Sequence, residues 1–268
     1  MQERFFYNIS RMALLHSFEK SGNFLFRHRG IVPVFVFLAC SPVLILSLNP
    51  GIGVAALPCG WQIAVAVVAA LVSFAGIVVR AYTIGTTPHG TSGRNTDKQV
   101  AKSLNTKGIY SVVRHPLYLG NYLMWLGLLL FIGNIPFLVC VSLVYWLYYE
   151  RIMYAEERFL EREFGQEYLD WSVTVPAFWP KWSQFEKGDV PFHFKSVLRR
   201  EYSGIFAITL CFTLVDYIRF AMVNFGHWSE VCWLRVSGIT CAVMFVLMMV
   251  LRTLKHHSRI LAAEENRD

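Results

Sequence analysis

Long uncharged runs constrain the fold of this chain more than any other feature of its sequence. Six runs of about 15 to 20 residues, rising about 1.5 Å per residue as helices, approach or reach the thickness of a bilayer core. Only 16% of the residues are charged, whereas a soluble domain typically has about a quarter, and the mean hydropathy is +0.42. The runs are 32–48, 63–79, 117–132, 135–149, 204–222 and 232–251. They predict an all-α, polytopic membrane protein with about six transmembrane helices.

The order of these runs divides the chain into three regions. Residues 1–84 hold an N-terminal segment and two predicted transmembrane helices, and residues 183–268 hold a C-terminal helix pair and a tail. Between them, residues 85–182 hold a polar loop and two runs separated only by a Gly-Asn pair, which predicts a tight helical hairpin. The stretch 86–96 is too polar for lipid and too long for a simple connection, so we expect it to serve a function at the membrane surface.

The basic residues predict the orientation of the protein in the membrane. Of the 25 lysines and arginines, 23 fall in four segments that alternate with connections carrying none. Because basic segments stay in the cytosol, both termini and the two long loops are predicted to be cytosolic. The net charge of +7 does not indicate a nucleic-acid partner, because the bases lie between apolar runs rather than on one polar face.

A polar helix start is the first candidate site. Arg114 and His115 precede Pro116, which suits the first turn of a helix and keeps the residue before it extended. The unpaired backbone N–H groups of that turn, flanked by Arg114 and His115, predict an anion-binding site. His115 and Tyr118 lie three residues apart and therefore share a face. The alternative is that these residues only anchor the helix at the membrane surface.

An acidic pair is the second candidate site. The fourth run continues without a break into a charged stretch that ends at Gly165, so one helix is predicted to leave the membrane and extend into the cytosol. Glu156 and Glu157 lie side by side where this helix emerges. An amphipathic surface helix with offsetting charges would explain most of the stretch, but it does not require two adjacent glutamates at that point.

The other polar pairs have simpler explanations, and no metal site is predicted. His256 and His257 lack a third ligand at metal-binding spacing, which favours a solvated surface pair. Asp216 and Arg219 lie three residues apart on the fifth run, so they are expected to neutralise each other near the opposite membrane surface.

Three motifs occur in one order across the hairpin: an RHPxYxG run at 114–120, an EExxLxxxFGxEY-like segment at 156–168, and a VPxxxP-type ending at 175–180. Together they resemble the isoprenylcysteine carboxyl methyltransferase family and its bacterial relatives, over roughly residues 85–182. The resemblance implies S-adenosyl-L-methionine as the cofactor. The implied cofactor-binding residues are Ser103, Leu104, Asn105, Tyr110, His115, Pro116, Leu117, Tyr118 and Glu156.

Three further residues are candidates for catalysis. In the family, an arginine about one turn before the acidic pair meets the methyl acceptor, and Arg151 is the nearest match here. The alternative for Arg151 is an anchor at the lipid headgroups. Glu157 is expected to accept a proton if the acceptor is an amine, and Arg114 is expected to complete the anion site.

The resulting prediction is an integral membrane methyltransferase that acts on a lipid or lipid-linked acceptor from a cytosolic site. An ionised carboxylate or phosphate is the favoured acceptor, and an isoprenylcysteine carboxylate or a phospholipid amine is an alternative. Two other classes remain open: an NADPH-dependent oxidoreductase resembling sterol reductases, and a non-catalytic membrane scaffold. The acidic pair favours methyl transfer, because the phosphates of NADPH would require bases there.

Overall fold

The computed structural model describes residues 13–30, 42, 45–46, 58–88, 101–223 and 232–258. Within these ranges the chain is all-α, as predicted, with seven helices. They are α1 (Ala13–Arg27), α2 (Cys59–Thr86), α3 (Pro116–Ile132), α4 (Ile135–Phe164), α5 (Gln166–Thr174), α6 (Phe194–Val223) and α7 (Cys232–His257). Most of the predicted span 32–48 and of the polar stretch 86–96 lies outside the described residues.

Four of these helices are long and apolar enough to cross a membrane, and a fifth apolar helix is shorter. The four candidate spans are Gly60–Thr86, Ile135–Phe164, Phe194–Met222 and Val236–His257, and the shorter helix is Pro116–Ile132. Large apolar side chains such as Phe74, Leu143 and Val246 are exposed on their outer surfaces, as expected where lipid replaces protein contacts. Four of the six predicted runs overlap these candidate spans, and the run 117–132 coincides with the shorter helix.

The predicted hairpin joins α3 to α4 through a two-residue turn. Gly133 has a φ of +72°, a left-handed conformation that favours glycine, and its N–H donates to the carbonyl of Leu129 over 3.0 Å. The side chain of Asn134 then caps α4 by accepting from the N–H of Phe137 over 3.0 Å. These two residues end one helix and start the next, which makes α3 and α4 antiparallel neighbours.

Small residues allow α2 and α3 to pack in direct backbone contact. A Cβ atom at Gly127 would collide with the backbone of Ala69 and with Ser73, and one at Gly120 would collide with the side chain of Arg80. Ser73 also donates to the carbonyl of Met124 over 2.9 Å. The close approach places Arg80 beside α3, at the side of the membrane where α2 ends and α3 begins, which we call the loop side.

Helix α4 extends beyond the membrane on the loop side, and α1 packs along this extension. Gly22 of α1 lies against the backbone carbonyl of Arg151, since a Cβ atom there would collide with it. Arg162 and Glu19 form an ion pair of 2.5 Å between the two helices. Helix α4 ends at Gly165, as predicted. Helix α1 therefore packs along the part of α4 that carries the acidic pair.

Helices α6 and α7 pack together, and α6 also contacts α2 and α3. Arg219 of α6 lies near Asp216, and it also donates to the carbonyl oxygens of Phe131 and Ile132 at the C-terminal end of α3. These carbonyls have no partner within their own helix. Arg219 thus attaches one end of α6 to the hairpin. The other end of α6, on the loop side, contacts α2 through Glu201 and Arg80.

Candidate functional site

A cavity of about 510 Å³ lies on the loop side, where α1, α2, α3, α4 and α6 meet the segment 101–115. Its volume is in the range of about 300–1,000 Å³ that is usual for small-molecule sites. All nine predicted cofactor-binding residues line it: Ser103, Leu104, Asn105, Tyr110, His115, Pro116, Leu117, Tyr118 and Glu156. Arg114 and Glu157 line it as well. The structure thus gathers these eleven residues around one cavity.

The VPxxxP segment holds the start of α3 in place. The backbone N–H of Arg114 donates to the carbonyl of Pro176 over 2.9 Å, and that of His115 donates to Ala177 over 3.2 Å. Lys181 returns a hydrogen bond of 3.0 Å to the carbonyl of Val112. Two motifs that lie some sixty residues apart in sequence are therefore paired through their backbones. This pairing fixes the direction in which Arg114 and His115 enter the cavity.

His115 connects the helix start to the acidic pair. It occupies the N-cap position of α3, but in the described structure its side chain makes no capping hydrogen bond. Instead, its Nε2 lies 3.0 Å from Oε1 of Glu157, and its Nδ1 lies 3.6 Å from Oε2 of Glu156. In the first turn of α3 the N–H groups of Tyr118 and Leu119 donate to the carbonyl of His115 over 3.1 Å each, and Pro116 has no N–H, which leaves the N–H of Leu117 for a ligand. The imidazole of His115 meanwhile joins two carboxylates.

Burial and charge act in opposite directions on His115. Burial by itself lowers the pKa of His115, but hydrogen bonds to Glu156 and Glu157 and their negative charges raise it, and the net effect is a pKa above the ordinary value. Protonated His115 would place an imidazolium between two glutamates. Tyr110 is neutral at physiological pH, because burial and then the charge of Glu156 raise the pKa of Tyr110 to about 12.

Each glutamate has a different set of partners. Glu156 accepts a hydrogen bond of 2.8 Å from the hydroxyl of Tyr118, whose ring stacks on His115 at 5.7 Å between centroids. Glu157 is held by both His115 and Arg114, whose NH2 lies 3.0 Å from its Oε1. Glu157 is therefore fixed by two cationic or hydrogen-bonding partners, whereas Glu156 is oriented mainly from the membrane side by a phenol.

Arg114 is itself only partly satisfied. Its NH1 donates to the carbonyl of Ser172 over 2.5 Å, which links it to the end of α5. Its Nε is buried and has no hydrogen-bond partner among the described residues. A buried donor without a partner is costly, so this atom is a candidate contact for a bound polar group.

The deeper end of the cavity is formed by residues that the sequence analysis did not select. Arg80 of α2 forms a two-point ion pair with Glu201 of α6, with Nε to Oε2 at 2.6 Å and NH2 to Oε1 at 2.7 Å. NH1 of Arg80 donates to Oδ1 of Asn121 over 2.5 Å, and Nδ2 of Asn121 lies 3.4 Å from the hydroxyl of Tyr149. All four residues line the cavity. We call them the inner cluster.

Sequence signals for the missed residues exist but are weak. Arg80 directly follows an apolar run, and Glu201 lies just before another, so both are ionisable groups at the edge of the membrane. Phe26 and Arg29, at the end of α1 and just beyond it, and Arg200 of α6 also line the cavity. They belong to elements outside the three motifs, and nothing in their local sequence indicates which helices they face.

Arg151 is the predicted site residue that the structure does not bring to the cavity. Its guanidinium lies over the ring of Phe18 in α1, 3.4 Å from the ring centroid. Arg151 is not among the residues that line the cavity. The predicted contact of Arg151 with the methyl acceptor stays a prediction, which this arrangement does not favour: the side chain packs α4 against α1, because its position on the helix faces α1. Among the described residues no group of three or more His, Cys, Asp or Glu side chains is arranged to hold a metal ion.

The fold and the cavity define a class: a multi-pass membrane protein with a charged, tyrosine-rich cavity at one membrane surface. Comparison with known proteins narrows this class. Residues 61–167 match the phospholipid methyltransferase family. Over this region the chain is similar to a family of membrane methyltransferases, and the predicted resemblance to the isoprenylcysteine methyltransferases is confirmed. Helix α6, which provides Glu201, lies outside the matched residues.

The similar proteins include both enzymes and resistance proteins. A protein-S-isoprenylcysteine O-methyltransferase of Schizosaccharomyces pombe is 35% identical over 86 residues, 32% of this chain and 35% of the relative. The nickel-cobalt-cadmium resistance protein NccN of Alcaligenes xylosoxydans xylosoxydans is 34% identical over 94 residues, 35% of this chain and 41% of the relative. The chain thus spans about two fifths or less of the length of these relatives. No solved structure gives a significant match.

Proposed function

We propose that this protein is an S-adenosylmethionine-dependent methyltransferase that acts on a lipid or lipid-linked acceptor at the membrane surface. The observation that carries the proposal is the cluster of His115, Tyr118, Glu156 and Glu157 on the wall of the cavity. Members of the family that this region resembles use S-adenosylmethionine. Three of these four residues, His115, Tyr118 and Glu156, are residues that the family resemblance selected, and all four are joined by hydrogen bonds or ion pairs.

The residues of the cavity fit the chemical groups of S-adenosylmethionine. Its ammonium and sulfonium are cations, for which Glu156 and the ring face of Tyr118 are suitable partners. Its carboxylate suits the start of α3 and Arg114, whose Nε is buried without a partner among the described residues. The rings of Tyr110 and Trp171, which line the same cavity, offer surfaces for the adenine.

The roles of the residues follow from what the cofactor would supply. When bound, it offers a methyl carbon to an acceptor oxygen, which donates the electron pair of the new O–C bond while the C–S bond breaks and its pair remains on sulfur. A carboxylate or phosphate is ionised at neutral pH, so no general base is required. Glu157 is held by Arg114 and His115, which suits a fixed structural anion better than a proton acceptor. The main contribution of the protein is therefore alignment.

A lipid-linked acceptor is proposed because helices that cross or enter the membrane provide much of the cavity wall. Several of the similar proteins carry the name protein-S-isoprenylcysteine O-methyltransferase, which supports a carboxylate on an isoprenyl chain as one candidate. A phosphate on a lipid chain has the same charge and is a second candidate. An amine acceptor would need a base, and the arrangement of Glu157 argues against it.

The cofactor assignment is tested by ligand binding to the purified protein. We expect S-adenosylhomocysteine to bind and NADPH not to compete with it in isothermal titration calorimetry. His115→Ala, Tyr118→Ala and Glu156→Gln should each weaken S-adenosylhomocysteine binding about ten- to a hundredfold, because a lost charge-assisted hydrogen bond costs about 1.5–3 kcal/mol. Glu163→Gln is the matched control, since Glu163 is an exposed carboxylate on the same helix.

Two results would contradict the proposal. Tight NADPH binding without S-adenosylhomocysteine binding would assign the cavity to an oxidoreductase. Unchanged S-adenosylhomocysteine binding in all three variants, with the protein still folded, would separate the cofactor from the cluster and remove the methyltransferase assignment.

A further inference from the structure

We propose that Arg80 binds the oxyanion of the acceptor, and that Glu201 of the C-terminal helix α6 is the positioning residue that holds Arg80 for this task. The inference rests on the proposed function and extends it to the acceptor. It assigns a role to α6, which lies outside the matched residues 61–167. The ligand class is an amphipathic molecule that ends in a carboxylate or phosphate.

The geometry of the pair is unusually restrictive for Arg80. Glu201 contacts Nε and NH2 through its two carboxylate oxygens at 2.6 and 2.7 Å, and Asn121 takes a hydrogen bond from NH1 at 2.5 Å. A guanidinium held on two sides in this way has one orientation. Glu201 is 2% exposed, so its carboxylate has no comparable alternative in solvent.

Arg80 retains donors for a ligand. A guanidinium has five N–H groups, and the three hydrogen bonds to described residues leave one on NH1 and one on NH2 within the described part of the chain. The side chain of Arg80 is 20% exposed and lines the cavity, whereas Glu201 is buried behind it. Two neighbouring N–H groups can hold one oxyanion with two hydrogen bonds. The ligand-facing group of the pair is therefore the arginine.

The position of the inner cluster suits an acceptor that approaches from lipid. Asn121 follows Tyr118 by three residues, so along the axis of α3 its Cα lies about 4.5 Å farther from the loop side than that of Tyr118. The residues proposed for the cofactor lie on the loop side of the Tyr118–Glu156 hydrogen bond. An oxyanion at Arg80 would thus stand between the lipid phase and the cofactor end of the cavity, as a methyl acceptor must.

The charge of the cavity wall also favours an anion. Four arginines line it, at 29, 80, 114 and 200, against three glutamates, at 156, 157 and 201. An acceptor anion would offset this excess, and in a cavity that excludes water such an interaction is stronger than at an exposed surface. A buried ion pair alone contributes little to stability compared with well-packed apolar residues, so a purely structural role gives no reason for a charged pair at this place.

The test measures acceptor binding separately from cofactor binding. The probes are an N-acetyl-S-farnesylcysteine with a free carboxylate, its methyl ester, and farnesyl phosphate, each titrated calorimetrically into the detergent-solubilised protein saturated with S-adenosylhomocysteine. We expect at least one of the two acids to bind about tenfold or more tightly than the ester, because the ester cannot form a charge-assisted pair. Which acid binds distinguishes a carboxylate from a phosphate acceptor.

Variants then assign this preference to the inner cluster. Arg80→Lys retains the charge without the planar geometry, and Glu201→Gln removes the positioning carboxylate. Both should reduce binding of the preferred acid about tenfold or more and leave S-adenosylhomocysteine affinity within about twofold of the wild type. Arg162→Lys is the matched control, since Arg162 pairs with Glu19 away from the cavity. It should change neither affinity.

The outcomes separate the two proposals. Equal binding of acid and ester to the wild type, or unchanged acid binding in Arg80→Lys and Glu201→Gln, would overturn the inference while leaving the cofactor assignment intact. Loss of both ligands in both variants would give the pair a structural role only and would also overturn it. Absence of S-adenosylhomocysteine binding to the wild type would contradict the proposed function itself.

Discussion

The two ends of the cavity are built in different ways. The loop end consists of the motif residues around His115 and Glu156, and two of its segments are tied together by backbone hydrogen bonds from Arg114 and His115. The inner cluster consists of single residues from four helices, of which Arg80 and Glu201 are separated by more than a hundred positions. One end therefore depends on short motifs, and the other depends on how helices pack.

This difference suggests a division of labour within the site. The loop end lies in the matched family region together with the segment just after it, which is expected for a part that handles a shared cofactor. The inner cluster includes Glu201 of α6, which lies outside the matched residues 61–167. The other three residues of the inner cluster, Arg80, Asn121 and Tyr149, lie within the matched residues, so Glu201 is the part of the cluster that the family match does not cover. If the two ends have separate roles, substitutions at one end should leave the ligand that binds at the other end unaffected.

The largest effect should come from disturbing the contact that both ends share. Gly127→Leu would place a side chain into the backbone of Ala69 and Ser73. We expect a loss of about 3 kcal/mol or more in the free energy of unfolding, because a tightly packed interface cannot accommodate the added volume. Thermal unfolding in detergent, with size-exclusion chromatography, measures it. Gly60→Leu is the control, since no atom of the described residues lies within 4 Å of a Cβ atom at Gly60. A wild-type unfolding temperature for Gly127→Leu would contradict the packing.

An all-or-none effect is expected in cysteine labelling, which reports the side of the membrane on which the loop end lies. The distribution of basic residues predicts that the connection containing Lys187 is cytosolic and that Gly226 is not. In a cysteine-free background, Lys187→Cys should react with an impermeant maleimide only after the cytosolic face is opened, and Gly226→Cys should react from outside. The reverse labelling pattern would place the loop end away from the cytosolic supply of S-adenosylmethionine.

A moderate effect is expected from pH, and it should be confined to the loop end. The pKa of His115 is lowered by burial but raised further by Glu156 and Glu157, so it lies above its ordinary value of about 6.5. A raised native pKa contributes stability below the unfolded value, and this contribution is lost as the pH rises through the native value. The unfolding temperature of the wild type should therefore exceed that of His115→Gln at low pH, and this difference should shrink as the pH rises.

Two controls sharpen the pH prediction. His256→Gln, at an exposed position in the C-terminal part of α7, should follow the wild type at every pH. The unfolding temperature of Arg80→Lys should also change with pH in parallel with that of the wild type, because none of the described hydrogen bonds of the inner cluster involves His115. A constant difference between the wild type and His115→Gln across the range would show that the imidazole is not charged by its two neighbours.

The smallest effect is expected for Arg151→Lys. Arg151 lies over the ring of Phe18, and a cation–π contact at such a site contributes about 0.5–1 kcal/mol. We expect a slightly lower unfolding temperature with unchanged affinity for S-adenosylhomocysteine and for the acidic probes. In the acceptor titration Arg80→Lys should instead reduce binding of the preferred acid about tenfold or more. A selective loss of acid binding in Arg151→Lys would restore the role that the family resemblance implies for it.

The amino-acid sequence by itself predicted the apolar helices and the motif residues at the loop end of the cavity, but not α1. Apolar runs are local properties, and a turn such as Gly133–Asn134 acts within a few residues, so both can be read without knowing how helices pack. The motif residues around His115 and Glu156 were also recognisable because their identity and spacing recur as a unit in the family. All of the predicted site residues except Arg151 line the cavity.

Only the tertiary structure decided which helix faces meet. The spacing along α4 places Arg151 about one turn before Glu156, but its direction around the helix axis sends it to Phe18 of α1. Likewise, Arg80 reaches Glu201 because glycines let α2 approach α3 and because α6 packs beside them. Such pairings depend on the relative rotation and depth of separate helices, which no local pattern encodes, and they are what completes the inner end of the site.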